Sequence, residues 1–209
     1  MKLAELTTTD FVGLLASDAP APGGGSAAAL EGALGAALAA MVCALTVGRK
    51  EYAEYQSLAE SAQIKALDLK ARFVDVMDRD TEAFRVVSTA FGMPKATNEE
   101  KAARSVAIQE GLKGCTKTPF EMMELAVEAL ELTASILSKS NVSAASDLGV
   151  SALSLRAAIQ GAWLNVLINI GGLKDQELAE EYRIRGEALL YKALPLADQI
   201  YSTIISKLE

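Results

Sequence analysis

A carboxylate stands where a helical repeat asks for an apolar residue. From about Tyr52 to Phe91, the residues Tyr55, Leu58, Ala62, Ala66, Leu69, Phe73, Val76, Phe84, Val87 and Phe91 recur at three- and four-residue steps. That spacing predicts one long amphipathic helix. The stripe passes from Val76 to Phe84 through position 80, which is Asp80. A carboxyl group placed there loses hydration, which raises its pKa and leaves it able to give or take a proton near neutral pH. The competing reading is a structural aspartate, paired to a buried partner or turned outward where the stripe drifts. Asp78 and Glu82 lie off the stripe and read as solvated. The chain has no histidine, which excludes imidazole proton shuttles, Ser-His-Asp and Cys-His nucleophilic machinery, and His-based zinc sites. Acid–base work falls to carboxylates, Lys, Tyr or Cys.

Three other groups of residues could meet a ligand. The run Pro20-Ala-Pro22-Gly23-Gly24-Gly25-Ser26 leads straight into a predicted helix, whose free N–H groups and dipole favour an anion or an electron-rich edge. It lacks the Gly-Lys-Ser/Thr of a phosphate loop and the preceding strand of a dinucleotide site, and a tight turn explains it equally well. A second line, Asp147, Ser151, Ser154, Ala158, Gly161, Asn165 and Asn169, marks a polar seam on a nearly uncharged helix. Its amides could read the donor–acceptor edge of a heterocycle or bond helix to helix, the latter being the commoner use. The cap-rich stretch from Lys139 to Asp147, which includes Asn141, precedes it. Basic residues gather as Arg49-Lys50 and as Lys95, Lys101 and Arg104, candidate anchors for an anionic tail or ordinary solvated helix ends. Cys43 and Cys115 lack CxxC spacing and read as buried packing residues, and no metal site is expected.

These groups must be positioned by helices. The chain of 209 residues suits one domain, residues 1–209, and its periodicity is helical nearly throughout, so the expected fold is an all-α bundle of long antiparallel helices. Thr7 to Asp10 can cap a short helix to about Ser17. A second helix is expected to about Gly48, with Ala28, Gly32, Ala36, Ala40 and Ala44 forming a flat face suited to close backbone packing. Its hydropathy resembles a membrane span, but the bulk is Ala and Gly, and a buried core helix is the reading adopted. Gly92 and Pro94 end the long helix, Asn98 caps the next, and Pro119 kinks that helix or starts another. Helices over about 147–170 and 174–208 follow, the last bent at Pro195. A net charge of −7 argues against a nucleic-acid partner, and the polar start without an apolar signal core makes the cytoplasm the expected compartment.

Several motifs together resemble a known family. PAPGGGSAAAL at 20–30, GRK at 48–50, DxDxxAF at 78–84, MPKxTxEEKxxR at 93–104, QEGL at 109–112, and SDL with GAxxNVLIN within 146–169 are similar, in order, to the cyclodeaminase/cyclohydrolase family of folate enzymes. That family includes the C-terminal half of formiminotransferase-cyclodeaminase and stand-alone bacterial methenyltetrahydrofolate cyclohydrolases. The resemblance implies a dimeric helical bundle acting on a tetrahydrofolate derivative, with or without a polyglutamate tail, without another cofactor and without a membrane partner. It places the proton donor in the DxDxxAF stretch, on Asp80 or, with an alignment slip, Asp78. It puts Pro22, Gly23, Gly24, Gly25 and Ser26 around the folate and the basic residues Arg49, Lys50, Lys95 and Arg104 near its glutamate tail. Asn141, Asp147, Asn165 and Asn169 complete the candidate binding set. Cyclohydrolase is favoured over cyclodeaminase, and a non-catalytic helical scaffold is the remaining alternative.

Overall fold

The computed structural model describes residues 2–209. Six helices carry the fold: α1 (Thr8–Leu15), α2 (Gly24–Ala44), α3 (Gln56–Phe91), α4 (Asn98–Ile136), α5 (Ala145–Ile170) and α6 (Gln176–Leu208). Short 3₁₀ turns at Leu3–Glu5, Lys50–Tyr55 and Val142–Ala144 join them, and no strand occurs among the described residues. Cross-helix contacts fix the directions. Gly25 meets Asp80 while Gly32 meets Phe73, so α3 runs antiparallel to α2. Asn169 bonds to Cys115 while Ser151 approaches Thr133, so α5 runs antiparallel to α4. The result is an up-and-down bundle with α2 between α3 and α5, and with α4 and α6 closing the other side.

Capping chemistry sets the helix starts. Thr7 accepts the Asp10 N–H at the start of α1, and Asp175 accepts the Leu178 N–H at the start of α6. The cap of α4 is Thr97 rather than Asn98: Thr97 Oγ1 accepts the Glu100 N–H at 3.2 Å, and Glu100 Oε2 accepts the Thr97 N–H at 3.1 Å. This reciprocal pair satisfies two otherwise free donors, which a lone Asn cap does not. Pro119 and Pro195 lie inside continuous helices and end neither. Between α2 and α3 the chain takes a 3₁₀ turn, so the long helix begins at Gln56 and not at Tyr52.

The small residues of α2 let neighbouring side chains reach its backbone. A Cβ at Gly32 would overlap the Phe73 ring, so glycine is what allows that fully buried aromatic to lie against α2. Phe73, Leu69, Met122, Met123, Leu125, Leu130, Leu155 and Ile159 are wholly buried around it. Each such side chain contributes about 1.5–3 kcal/mol through loss of apolar surface from water. The stripe of α3 drifts along its length: Phe84 and Phe91 are 40% and 53% exposed, and the buried track passes through Met77, Thr81, Val87 and Ala90 instead. Asp80 therefore flanks the core rather than sitting in it.

Both α2 and α5 are long and apolar enough to cross a membrane, yet about half of each apolar window is buried inside the bundle. Leu34 and Met41 of α2, its C-cap Leu45, and Val150, Leu153, Leu164 and Ile168 of α5 remain exposed.

Candidate functional site

At the start of α2 the chain, after a cis Ala21–Pro22 bond, brings Gly24, Gly25 and Ser26 into the first helical turn. Gly23 is the N-cap and supplies no side-chain cap, so the N–H groups of this turn remain for a ligand. A cleft of about 290 Å³ opens here, bounded by this turn, by Asp80 and Phe84 of α3, and by Asn165 and Asn169 of α5. Cys115 of α4 closes its floor.

Gly25 and Asp80 define the geometry. A Cβ on Gly25 would coincide with the Asp80 carboxylate, so the carboxyl group is packed directly on the helix backbone. Thr118, buried in α4, donates its hydroxyl to Asp80 Oδ1 at 3.1 Å. Burial pushes the Asp80 pKa up, and the Thr118 hydrogen bond lowers it in part. No cation contributes. The next residue, Thr81, is buried and lies 3.2 Å from the equally buried Ser26 hydroxyl, tying α3 to the first turn of α2. Burial, reinforced by the Asp80 charge, pushes the Cys115 thiol up to about 11, so it is a neutral wall at physiological pH and not a nucleophile.

Asp78, two residues away, has a different environment. Its Oδ1 accepts the Leu3 backbone N–H at 2.6 Å and fastens the N-terminal 3₁₀ turn to α3. The polar seam of α5 divides by position: Ser151 donates to the Gly35 carbonyl at 2.8 Å and bonds helix to helix, whereas Asn165 and Asn169 line the cleft. The seam is thus structural at one end and cleft-forming at the other.

Of the remaining candidate residues, Gly23 lines the cleft and Pro22 is buried beside it. Lys95, Lys101 and Arg104 form a neighbouring hollow of about 270 Å³ with Ser105, Gln109 and Lys174. Gln109 donates to the Gly172 carbonyl at 3.0 Å and accepts the Lys174 N–H at 2.7 Å, which fastens the α5–α6 turn to α4. Six residues of helix separate Gln109 from Cys115, so the basic hollow begins about 9 Å from the cleft along the same α4/α5 seam. Arg49, Lys50, Asn141 and Asp147 are not part of this cleft. They lie at the other end of α2, about 30 Å away by helix rise. There Asn141 donates to the Leu45 carbonyl at 3.1 Å and accepts the Ser143 N–H at 3.0 Å, a structural role in joining α2 to the start of α5.

Sequence reasoning missed Thr118, Phe84, Ile168, Gln109 and Lys174. Thr118 is marked in the sequence only as the residue before Pro119, and only the fold reveals that it faces Asp80. No cluster of three or more His, Cys, Asp or Glu residues fit for a metal occurs among the described residues.

The chain is similar to known proteins along nearly its whole length. It is 43% identical over 201 residues to the methenyltetrahydrofolate cyclohydrolase of Methylorubrum extorquens, covering 96% of this chain and 97% of that protein. It is 32% identical over 207 residues to the formimidoyltransferase-cyclodeaminase of Rattus norvegicus, covering 99% of this chain but only 38% of that longer protein. The crystal structure of formiminotetrahydrofolate cyclodeaminase from Thermotoga maritima shares the fold, with a TM-score of 0.81 at 24% identity over 97% of this chain and 96% of that one. The family profile of formiminotransferase-cyclodeaminase matches residues 7–188, and the chain belongs to that family.

Proposed function

We propose that this protein is a methenyltetrahydrofolate cyclohydrolase, converting 5,10-methenyltetrahydrofolate to 10-formyltetrahydrofolate with Asp80 as the proton carrier. The observation that carries the reading is the Asp80 carboxyl group: desolvated, without a cation, hydrogen-bonded by Thr118, and facing a cleft at a helix N-terminus. The 43% identity to a methenyltetrahydrofolate cyclohydrolase over 201 residues supports the choice of reaction.

The substrate is a delocalised N5–C–N10 cation whose bridging carbon is already electrophilic, so the reaction asks for no metal and no further cofactor. Asp80 takes one proton from the attacking water as the C–O bond forms. The C–N5 bond then breaks, the carboxyl group returns that proton to N5, and the remaining hydroxyl proton leaves to solvent as the formyl C=O forms on N10. A carboxyl group with a raised pKa suits both halves of this exchange. A site without a cation also favours a cationic substrate.

A second reading is cyclodeamination of 5-formiminotetrahydrofolate, favoured by the similarity to cyclodeaminases. It reaches the same bridged cation from the other side, with N10 attacking and ammonia leaving after protonation. The basic hollow of Lys95, Lys101, Arg104 and Lys174 is assigned to the glutamate end of the folate, where no acidic side chain lines the wall.

The active species is assigned as a homodimer in the cytoplasm, formed through the exposed faces of α2 and α5. The seven large apolar residues there remain exposed in the single chain and offer an apolar surface for a second copy.

The test is a spectrophotometric assay. The bridged chromophore of 5,10-methenyltetrahydrofolate should disappear faster than its spontaneous hydrolysis. Appearance of that chromophore from 5-formiminotetrahydrofolate, with ammonia release, would establish the cyclodeaminase instead. Silence with both substrates in folded protein would overturn the enzyme reading.

A further inference from the structure

Helix α4 contains Pro119 without being broken by it. A proline has no N–H, so the α-helical bond to the carbonyl four residues earlier cannot form, and here that carbonyl belongs to Cys115. Cys115 is buried at the floor of the cleft, where an unpaired carbonyl is costly. The vacancy is filled from another helix: Asn169 Nδ2 of α5 donates to the Cys115 carbonyl at 2.6 Å.

This bond determines the orientation of the amide. A carbonyl can only accept, so the Asn169 nitrogen must face it with one of its two N–H groups, which fixes the position of Oδ1, the acceptor of the amide. Asn165 is held in the same sense, its Nδ2 donating to the Gly161 carbonyl at 2.8 Å. The fixed Asn169 Oδ1 thus gives the α5 wall an acceptor opposite the carboxylate of Asp80. A ligand edge carrying N–H donors, or a delocalised cation, meets this side of the cleft, while the free N–H groups of the first α2 turn remain for an acceptor. Thr118, the residue before Pro119, orients Asp80 itself. Consecutive residues of α4 thus bear on Asp80 and on Asn169.

We infer that Pro119 is a positioning residue: by withholding one backbone N–H it releases the Cys115 carbonyl to orient Asn169 as an acceptor for the N–H edge of the substrate. The activity readout of this inference rests on the folate reading above.

The variant Pro119→Ala restores a backbone donor to the Cys115 carbonyl and frees the Asn169 amide. Alanine is a strong helix former, so the melting temperature should stay level or rise. KM for 5,10-methenyltetrahydrofolate, and Kd for the stable probe 5-formyltetrahydrofolate, should increase roughly tenfold with kcat little changed, as expected for loss of one oriented hydrogen bond. In an Asn169→Ala background the same substitution should have no further effect on either constant, because its route to the ligand has been removed. Additive losses in the double variant would overturn the inference, as would an unchanged KM and Kd in Pro119→Ala whatever its melting temperature. Should the wild type prove inactive and fail to bind the probe, the folate reading fails separately. The Asn169 side-chain amide then supplies the readout: its protons should exchange slowly in the wild type and faster in Pro119→Ala, and equal rates would refute the positioning role.

Discussion

The outer face of α3, α4 and α6 and the inner wall of the cleft use the same kinds of side chain to opposite effect. On the outer face a series of carboxylates meets cations. Arg79 holds Asp75 at 2.6 Å and Glu121 at 2.8 Å, Arg185 bridges Glu181 and Glu124 at 3.0 and 3.3 Å, and Lys192 reaches Glu131 at 2.6 Å. The Arg79 hydrogen bond holds the Glu121 carboxyl below its usual range. On the inner wall Asp80 has Thr118 and the backbone of Gly25 for neighbours, and burial drives its pKa the other way. A cation fixes a carboxylate in its charged form, which favours structure. A hydroxyl and a helix backbone leave both protonation states accessible, which favours proton transfer. Asp78 differs from Asp80 in another way, its Oδ1 being engaged by the Leu3 N–H outside the cleft.

Removing the inner carboxylate should have the largest effect. Asp80→Asn is expected to lower turnover by about 10²–10⁴-fold, the usual contribution of a positioned acid–base group. It should also raise the melting temperature at neutral pH. The native state holds the Asp80 proton more tightly than the unfolded chain, so between the ordinary value of 3.8 and the raised native value stability falls as pH rises. The advantage of the Asn variant should therefore shrink as pH is lowered through that window, which thermal denaturation across pH would reveal.

Crowding the carboxylate comes next. Gly25→Ala places a methyl group on the Asp80 carboxylate, and the expected result is a turnover loss of at least roughly tenfold with an overpacking cost of about 1–3 kcal/mol. Denaturant titration alongside kinetics separates the two. Thr118→Val keeps the shape and removes the bond that lowers the Asp80 pKa. The acid limb of the pH–rate profile should move to higher pH, with only a few-fold change at the plateau. The smallest effect belongs to the outer face. Arg79→Met should leave turnover unchanged, let Glu121 return towards its ordinary pKa, and cost no more than about 1 kcal/mol, since solvent screens these half-exposed pairs.

The sequence discloses the helices because their apolar spacing and caps are local properties. Thr7 at the start of α1, the glycine loop before α2 and the break at Gly92 follow from neighbours a few residues apart. Asp80 is noticeable as a charge near an apolar stripe, although the stripe turns aside through Met77 and Thr81. Its partners are not visible in the same way. Thr118 lies 38 residues away, and Asn169 finds the Cys115 carbonyl across 54 residues, so only the register between helices brings them together. The basic residues show the same division. Lys95 and Arg104 share a hollow with Lys174 because α5 and α6 meet there, while Arg49 and Lys50 follow α2 to the far end.

The contrast between the two faces rests on the protonation of one group, which can be observed directly. Carbon-13 NMR of the Asp80 side-chain carboxyl, assigned by comparison with Asp80→Asn and followed from pH 3 to 8, reports its midpoint without reference to any substrate. A midpoint clearly above the ordinary 3.8 is the predicted result. A midpoint at or below that value would mean that Asp80 is held as a carboxylate like those of the outer face, and would contradict its role as the proton carrier.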